Sequence, residues 1–261
     1  MILGFDIGNT DTVMGIFDED EVVPRKSYRY KSNREETADG LHAKVHSFLR
    51  IFSEEAGLES EVSGIVFSSV VPEVNERYEI LSDTLCKREP VEISALVNLS
   101  IQIKYDIPSQ LGADRIANAE ASLREYGRDC IIVDLGTATT FCVLHESGIY
   151  DGGLIGPGIQ VAMDALSERT SRLLKVEFAK PERMIARNTA EAIASGFFYG
   201  WLSMVEGIIT RIEKQYEKDF LKILTGGFSE IIGRNIECEN VIERDLTMKG
   251  LKYIYDLNKL K

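Results

Sequence analysis

Short apolar runs of strand length alternate with stretches whose apolar residues recur at helical spacing, the pattern of an α/β protein. The opening segment reads as a β-hairpin, an apolar run to Asp6, a polar turn, and a second apolar run from Val13 to Phe17. Strands are predicted at Val62 to Val71, Val91 to Ser94 and Phe220 to Leu224, with a second hairpin between Cys130 and Tyr150. Helices are predicted at Glu36 to Ala56, Glu73 to Leu85, Gly112 to about Tyr126, Ile159 to Leu174, Asn188 to about Glu217, and Leu246 to Leu257. The first helix carries Ala38, Leu41, Val45, Phe48, Leu49 and Phe52 on one face. In the second, Val74, Tyr78, Leu81 and Leu85 turn inward.

The two hairpins repeat one pattern. Aligning Asp134 on Asp6 superposes Gly136 on Gly8 and Thr140 on Thr12. Each reads apolar run, Asp, apolar residue, Gly, short polar turn, apolar run. A turn of this composition suits phosphate, because glycine lets the backbone approach an anion and turn amides and hydroxyls supply donors. The aspartate repels phosphate but can hold a cation that binds it. Two such turns point to two related half-domains that share one nucleotide.

Composition narrows the partners. The chain is 44% hydrophobic and 28% charged, ordinary for a globular protein, and its length permits one or two domains. A net charge of -12 argues against nucleic acid, which demands a basic face. Cys86, Cys130, Cys142 and Cys238 lack a C-x-x-C spacing and read as thiols in a reducing compartment. Only four residues separate Met1 from Asp6, so no signal peptide is expected, and no run is read as a membrane span. A cytoplasmic protein is the expectation.

Several further residues carry candidate chemistry. Asp114 opens a helix beside Arg115, where it is either a favourable charge at a helix N-terminus or a proton acceptor next to an anion-binding cation. The run Gly152-Gly153 to Gly158, just before a helix, signals a close approach of backbone. It lacks the third glycine of a dinucleotide fingerprint, and the chain has no Gly-Lys pair for a Walker loop. Ala192, Gly196 and Gly200 form a small-residue stripe, an intrachain contact or, as favoured here, a dimer seam. Thr225-Gly226-Gly227 ends a strand and suits either an adenine or ribose face or a plain turn. Asp18 to Glu21 reads as a solvated acidic turn, and His42 with His46 as a surface pair lacking a third metal ligand.

The element order, opening with a hairpin, resembles the ribonuclease-H-like core of the actin, hexokinase and Hsp70 superfamily. The motifs together resemble the type III pantothenate kinase family over nearly the whole chain. Asp6-Ile7-Gly8-Asn9-Thr10 is similar to its first phosphate motif, Asp134 to Thr140 to its second, and Gly112-Ala113-Asp114-Arg115 to its pantothenate motif. Ser68 to Pro72, Gly152 to Gly158, Asn188-Thr189 and Thr225-Gly226-Gly227 follow in family order.

The resemblance implies two ribonuclease-H-like half-domains, 1–110 and 111–261, with the active site in the cleft between them. It implies transfer of the ATP γ-phosphoryl group to pantothenate, with Asp114 as the base. Asp6, Ile7, Gly8, Asn9, Thr10, Asp11, Thr12, Val13 and Thr137 would hold ATP. Tyr105, Gly112, Ala113, Asp114, Arg115 and Thr189 would contact pantothenate. Asp134 would bind a monovalent cation, potassium or ammonium, while Mg²⁺ accompanies ATP. The implied assembly is a homodimer, with no nucleic acid or membrane partner. The rivals are another kinase or phosphatase of the superfamily, a regulatory protein resembling the family, and an inactive scaffold.

Overall fold

The computed structural model describes residues 1–57, 61–169 and 176–259. The chain packs as two compact units, Met1–Glu125 with Asp245–Lys261, and Tyr126–Arg244.

In the first unit, β1 (Ile2–Ile7), β2 (Asp11–Phe17) and β3 (Lys26–Lys31) form an antiparallel meander. After α1 (Ala38–Ala56) the chain returns as β4 (Gly64–Ser69), parallel to β1. Then α2 (Asn75–Cys86) leads to β5 (Val91–Glu92), giving the order β3-β2-β1-β4-β5. This is the order and sense of a ribonuclease-H-like half. Helix α1 starts where the Thr37 hydroxyl accepts from the Gly40 amide and stops at Gly57, whose φ of 66° is left-handed. It buries Leu41, Val45 and Phe52 on the sheet residues Leu3, Phe5 and Phe67. The short β6 (Gln102–Ile103) precedes α3 (Ala113–Tyr126).

The second unit repeats the plan. β7 (Cys130–Leu135), β8 (Ala138–Leu144) and β9 (Ile149–Pro157) form an antiparallel meander, followed by α4 (Ile159–Glu168) and α5 (Thr189–Tyr216). β10 (Leu221–Thr225) returns parallel to β7, and α6 (Ser229–Gly233) leads to β11 (Val241–Ile242), parallel to β10. The core joins Ile131, Val133 and Phe141 of the sheet to Phe198, Leu202, Val205 and Ile209 of α5.

The closing helix α7 (Leu246–Asn258) belongs to the first unit. Gly250 of α7 sits against the Ala117 backbone of α3, where an added Cβ has no room. Thr247 donates to Asn118 at 2.8 Å and Lys249 to Glu125 at 2.7 Å. The boundary expected at residue 110 falls within the first compact unit, where α7 packs on β1 and β4.

Three expectations change, and a fourth lies partly outside the described residues. The glycine run at 152–156 lies inside a strand, because β8 pairs with it residue by residue. Helix α4 is described to Glu168, and positions 170–174 of the expected helix lie outside the described residues. The helix expected from Glu73 begins with a 3₁₀ turn at Pro72–Val74 before α2. Finally, α5 is long and apolar enough by length and composition to cross a membrane, contrary to the reading that no run reaches a span. Scattered Ser, Gly and Glu residues hide that average, and one face of α5 is packed into the core of its own unit.

Candidate active site

The first hairpin places Asp6 at the end of β1, opposite Val13 on β2 and beside Ser68 on β4. The Ser68 hydroxyl, fully buried, donates to Asp6 Oδ1 at 2.9 Å. Burial nevertheless pushes the Asp6 carboxyl up to about 6, and the Asp114 charge adds to the rise, against the Ser68 hydrogen bond and the Arg29 charge. Burial likewise raises Asp114, opposed by the Arg115 amide and guanidinium. The fold thus brings two carboxylates close enough to feel one another, one at the hairpin and one at the start of α3.

Asp114 is held in place. Its Oδ1 accepts the Arg115 amide at 2.9 Å, and Gly112 lies so close that a Cβ there would strike the carboxylate. A side chain at Gly112 would make the Asp114 carboxylate move from this position. Arg115 is 4% exposed, and Ala113 is buried beside it. Tyr105 is half-buried on the segment leading to α3.

Within Asp6 to Val13 the residues divide. Ile7 belongs to the core, and Asp11 pairs with Lys31 at 3.0 Å and Arg29 at 3.7 Å on β3. Thr12 is 1% exposed and shares a 2.9 Å hydrogen bond with Ser32. Val13 is half-buried, while Asn9 and Thr10 are exposed at the tip. A shallow cleft flanks this turn, lined by Thr12, Tyr30, Ser32, Arg34, Arg77 and Tyr78 among others.

The second hairpin sets Asp134 opposite Thr140 on β8 and Thr225 on β10. Thr225, buried, stands beside Asp134 as Ser68 stands beside Asp6, and the next residue, Gly226, comes up against the acid. Gly226 has a φ of 89°, and a Cβ there would lie 2.5 Å from Asp134 Oδ1 and 2.7 Å from the Leu135 carbonyl carbon. This contact gives Thr225-Gly226-Gly227 a packing role at the acid, continued by the turn into α6, where the Ser229 hydroxyl donates to the Gly226 carbonyl at 2.7 Å. Gly158 crowds the Gly136 and Thr137 carbonyls, so the close approach expected of the glycine run is backbone upon the second turn. Thr137 itself is exposed.

The threonine alignment needs correction. Thr12 pairs with Ile7, and Thr139, not Thr140, pairs with Leu135. The second turn is one residue tighter, closing by Gly136 N–H to Ala138 O rather than by the Gly8 N–H to Asp11 O step of the first. Residue counting along the repeat cannot detect this.

Thr189 is the first residue of α5, exposed, next to Asn188, whose side chain caps the helix by accepting from the Glu191 amide at 2.9 Å. Ala192, Gly196 and Gly200 are exposed, and nothing lies within 4 Å of a Cβ placed on either glycine. An intrachain contact therefore does not explain the stripe among the described residues. No group of three or more His, Cys, Asp or Glu residues that could hold a metal occurs among the described residues. A single carboxylate such as Asp134 suits a weakly bound monovalent ion better than a divalent one, which needs further oxygen ligands. Sequence reasoning left Ser68 without a role and passed over Ser32, Arg34 and Arg77. No motif marks the last three, which meet the turn only through strand pairing and the α2 packing.

The profile of the type III pantothenate kinase family matches residues 2–211. A type III pantothenate kinase of Halalkalibacterium halodurans is 39% identical, covering 99% of this chain and 100% of the relative. One from Shouchella clausii is 35% identical over the same shares of each. Among solved structures, a Baf family transcriptional activator from Campylobacter jejuni superposes with a TM-score of 0.59 at 19% identity, over 97% of both chains. The ethanolamine utilization protein EutJ from Carboxydothermus hydrogenoformans gives 0.56 at 16% identity, over 97% of this chain and 89% of that one. At such identities these two structures speak to fold alone. The sequence relatives are closer and span the whole chain: it belongs to the type III pantothenate kinase family.

Proposed function

We propose that this chain transfers the γ-phosphoryl group of ATP to the primary hydroxyl of pantothenate, giving 4'-phosphopantothenate, the first step of coenzyme A synthesis. Family membership supports the reaction, and the observation that carries the mechanism is the Asp114 carboxylate. It is fixed by the Arg115 amide, wedged against Gly112, and raised by burial toward the pH at which a carboxylate is an effective base.

Asp114 Oδ takes the proton of the pantothenate hydroxyl as that oxygen attacks the γ-phosphorus, and the bond from the γ-phosphorus to the bridging oxygen breaks to release ADP. Arg115, Gly112, Ala113, Tyr105 and Thr189 hold pantothenate, the guanidinium pairing with its carboxylate. Asp6 to Val13 and Thr137 hold ATP, and Asp134 would hold potassium or ammonium. When bound, that ion and the Mg²⁺ that accompanies ATP would supply positive charge against the phosphate oxygens. Within the first turn, Asn9 and Thr10 are the exposed contacts, while Ile7 and Thr12 shape it from below.

The active form is a homodimer in the cytoplasm. The open stripe of Ala192, Gly196 and Gly200, where a second backbone can approach, supports the dimer. The four cysteines, two of them buried in β7 and β8, accord with a reducing compartment. Coupled ADP release measured with pantothenate, hexoses and acetate tests the substrate: turnover with pantothenate alone is expected. Turnover with a sugar or acetate instead would overturn the assignment.

A further inference from the structure

The segment that leaves β3 makes more contacts with the first phosphate turn than any motif suggests. The Ser32 amide donates to the Thr10 carbonyl at 3.1 Å, and the Ser32 hydroxyl donates to the Gly8 carbonyl at 2.6 Å. Two residues on, the Arg34 guanidinium donates to Asn9 Oδ1 at 2.8 Å. The segment is itself tied down from α2: Arg77 donates to the Asn33 carbonyl at 3.2 Å and to the Arg34 carbonyl at 2.5 Å. Every residue of the turn tip, Gly8, Asn9 and Thr10, is therefore held by Ser32 or Arg34.

We infer that Ser32 and Arg34 are positioning residues for the ATP phosphates, with Arg77 as their strut. In a trans peptide the carbonyl and amide point in opposite directions. Drawing the Gly8 and Thr10 carbonyls toward Ser32 turns the N–H edges of the same two peptide units away from it, which is the orientation an anion nest requires. It also removes two carbonyl dipoles from the side where they would repel phosphate. Arg34 acts through Asn9, fixing its side-chain amide and leaving an exposed positive charge at the tip of a turn that lies in a strongly acidic protein. The inference rests on the reading that this turn binds ATP.

The test compares Ser32→Ala, Arg34→Gln and Arg34→Lys with the native enzyme, measuring KM for ATP and for pantothenate and the affinity for adenosine. Loss of one such hydrogen bond corresponds to roughly a three- to tenfold change. Ser32→Ala and Arg34→Gln are expected to raise KM for ATP by that factor, leaving KM for pantothenate and the adenosine affinity unchanged. Arg34→Lys, which keeps a donor and the charge, is expected to recover most of the loss. Arg34 is exposed, so its variants report even where Ser32→Ala disturbs folding. A double variant Asn9→Ala, Arg34→Gln is expected to be no worse than either single one, since the two act as a unit. Unchanged KM for ATP in both Ser32→Ala and Arg34→Gln, or equal weakening of ATP and adenosine, would overturn the inference. A native enzyme that fails to turn over ATP with pantothenate would instead overturn the parent reading.

Discussion

The two hairpins share a strand plan but surround their acids differently. In the first, Asp6 faces a buried serine hydroxyl on the neighbouring parallel strand and feels the charge of Asp114. In the second, Asp134 lies beside buried Thr225, and a Cβ on the next residue, Gly226, would strike one carboxylate oxygen. The first is a polar, destabilised pair of carboxylates, the kind of arrangement a protein keeps for chemistry or for a cation. The second is a half-buried acid beside which Gly226 leaves no room for a side chain. One duplicated turn thus stands in two surroundings: the Ser68 hydroxyl bonds the acid in one copy, and in the other Gly226, just past Thr225, crowds it.

The largest effect expected from breaking this contrast is on the first unit. Asp114→Asn removes the base and should lower kcat by about 10²–10⁴, roughly 3–5 kcal/mol, with little change in KM for ATP. Steady-state kinetics with pantothenate checks this; native turnover in the variant would exclude Asp114 as the base. Next comes Gly226→Ala, which combines a left-handed φ with a Cβ driven into Asp134, and should cost about 2–4 kcal/mol in urea unfolding. Gly227→Ala meets nothing within 4 Å and should stay within about 0.5 kcal/mol. Equal costs at the two glycines would remove the special role of the contact.

A smaller effect is expected from Asp6 in the absence of ligands. Its folded pKa near 6 lies above the ordinary value of 3.8, so its ionised form is the less stable one in the fold. Stability present below pH 4 is therefore lost as the pH climbs through 6. Asp6→Asn should stabilise the protein at pH 7.5 by about 1–3 kcal/mol, with the gain vanishing below pH 4. Thermal melts across that range check it, and a gain that persists at pH 3.5 would point to a different cause. The smallest expected change is at Asp134: Asp134→Ala should make activity indifferent to replacing potassium by sodium. Continued stimulation by potassium in that variant would remove the residue from the ion site.

What was legible in the sequence was local. The doubled Asp-x-Gly turn, the Asn188 cap of α5 and the start of α3 at Ala113 are written in neighbouring residues, and the folded chain keeps them. Strand β3, Lys-Ser-Tyr-Arg-Tyr-Lys, escaped because its alternating faces are half-buried at best and carry no apolar run. It was nevertheless the element that delivers Ser32 to the phosphate turn. The equivalence of Thr12 with Thr139 was hidden because register depends on turn length, which only pairing reveals. The return of α7 to the first unit likewise depends on Gly250 meeting Ala117, two positions remote in sequence. Contacts of that range leave no periodic trace.

The most direct measurement is mass-spectrometric detection of phosphorylated pantothenate after incubation with ATP, Mg²⁺ and potassium, for the native chain and Asp114→Asn side by side. The account predicts product from the native chain and a drop in its rate of at least about a hundredfold in the variant. Equal product from both, or ATP consumed with no phosphorylated pantothenate from the native chain, would contradict it.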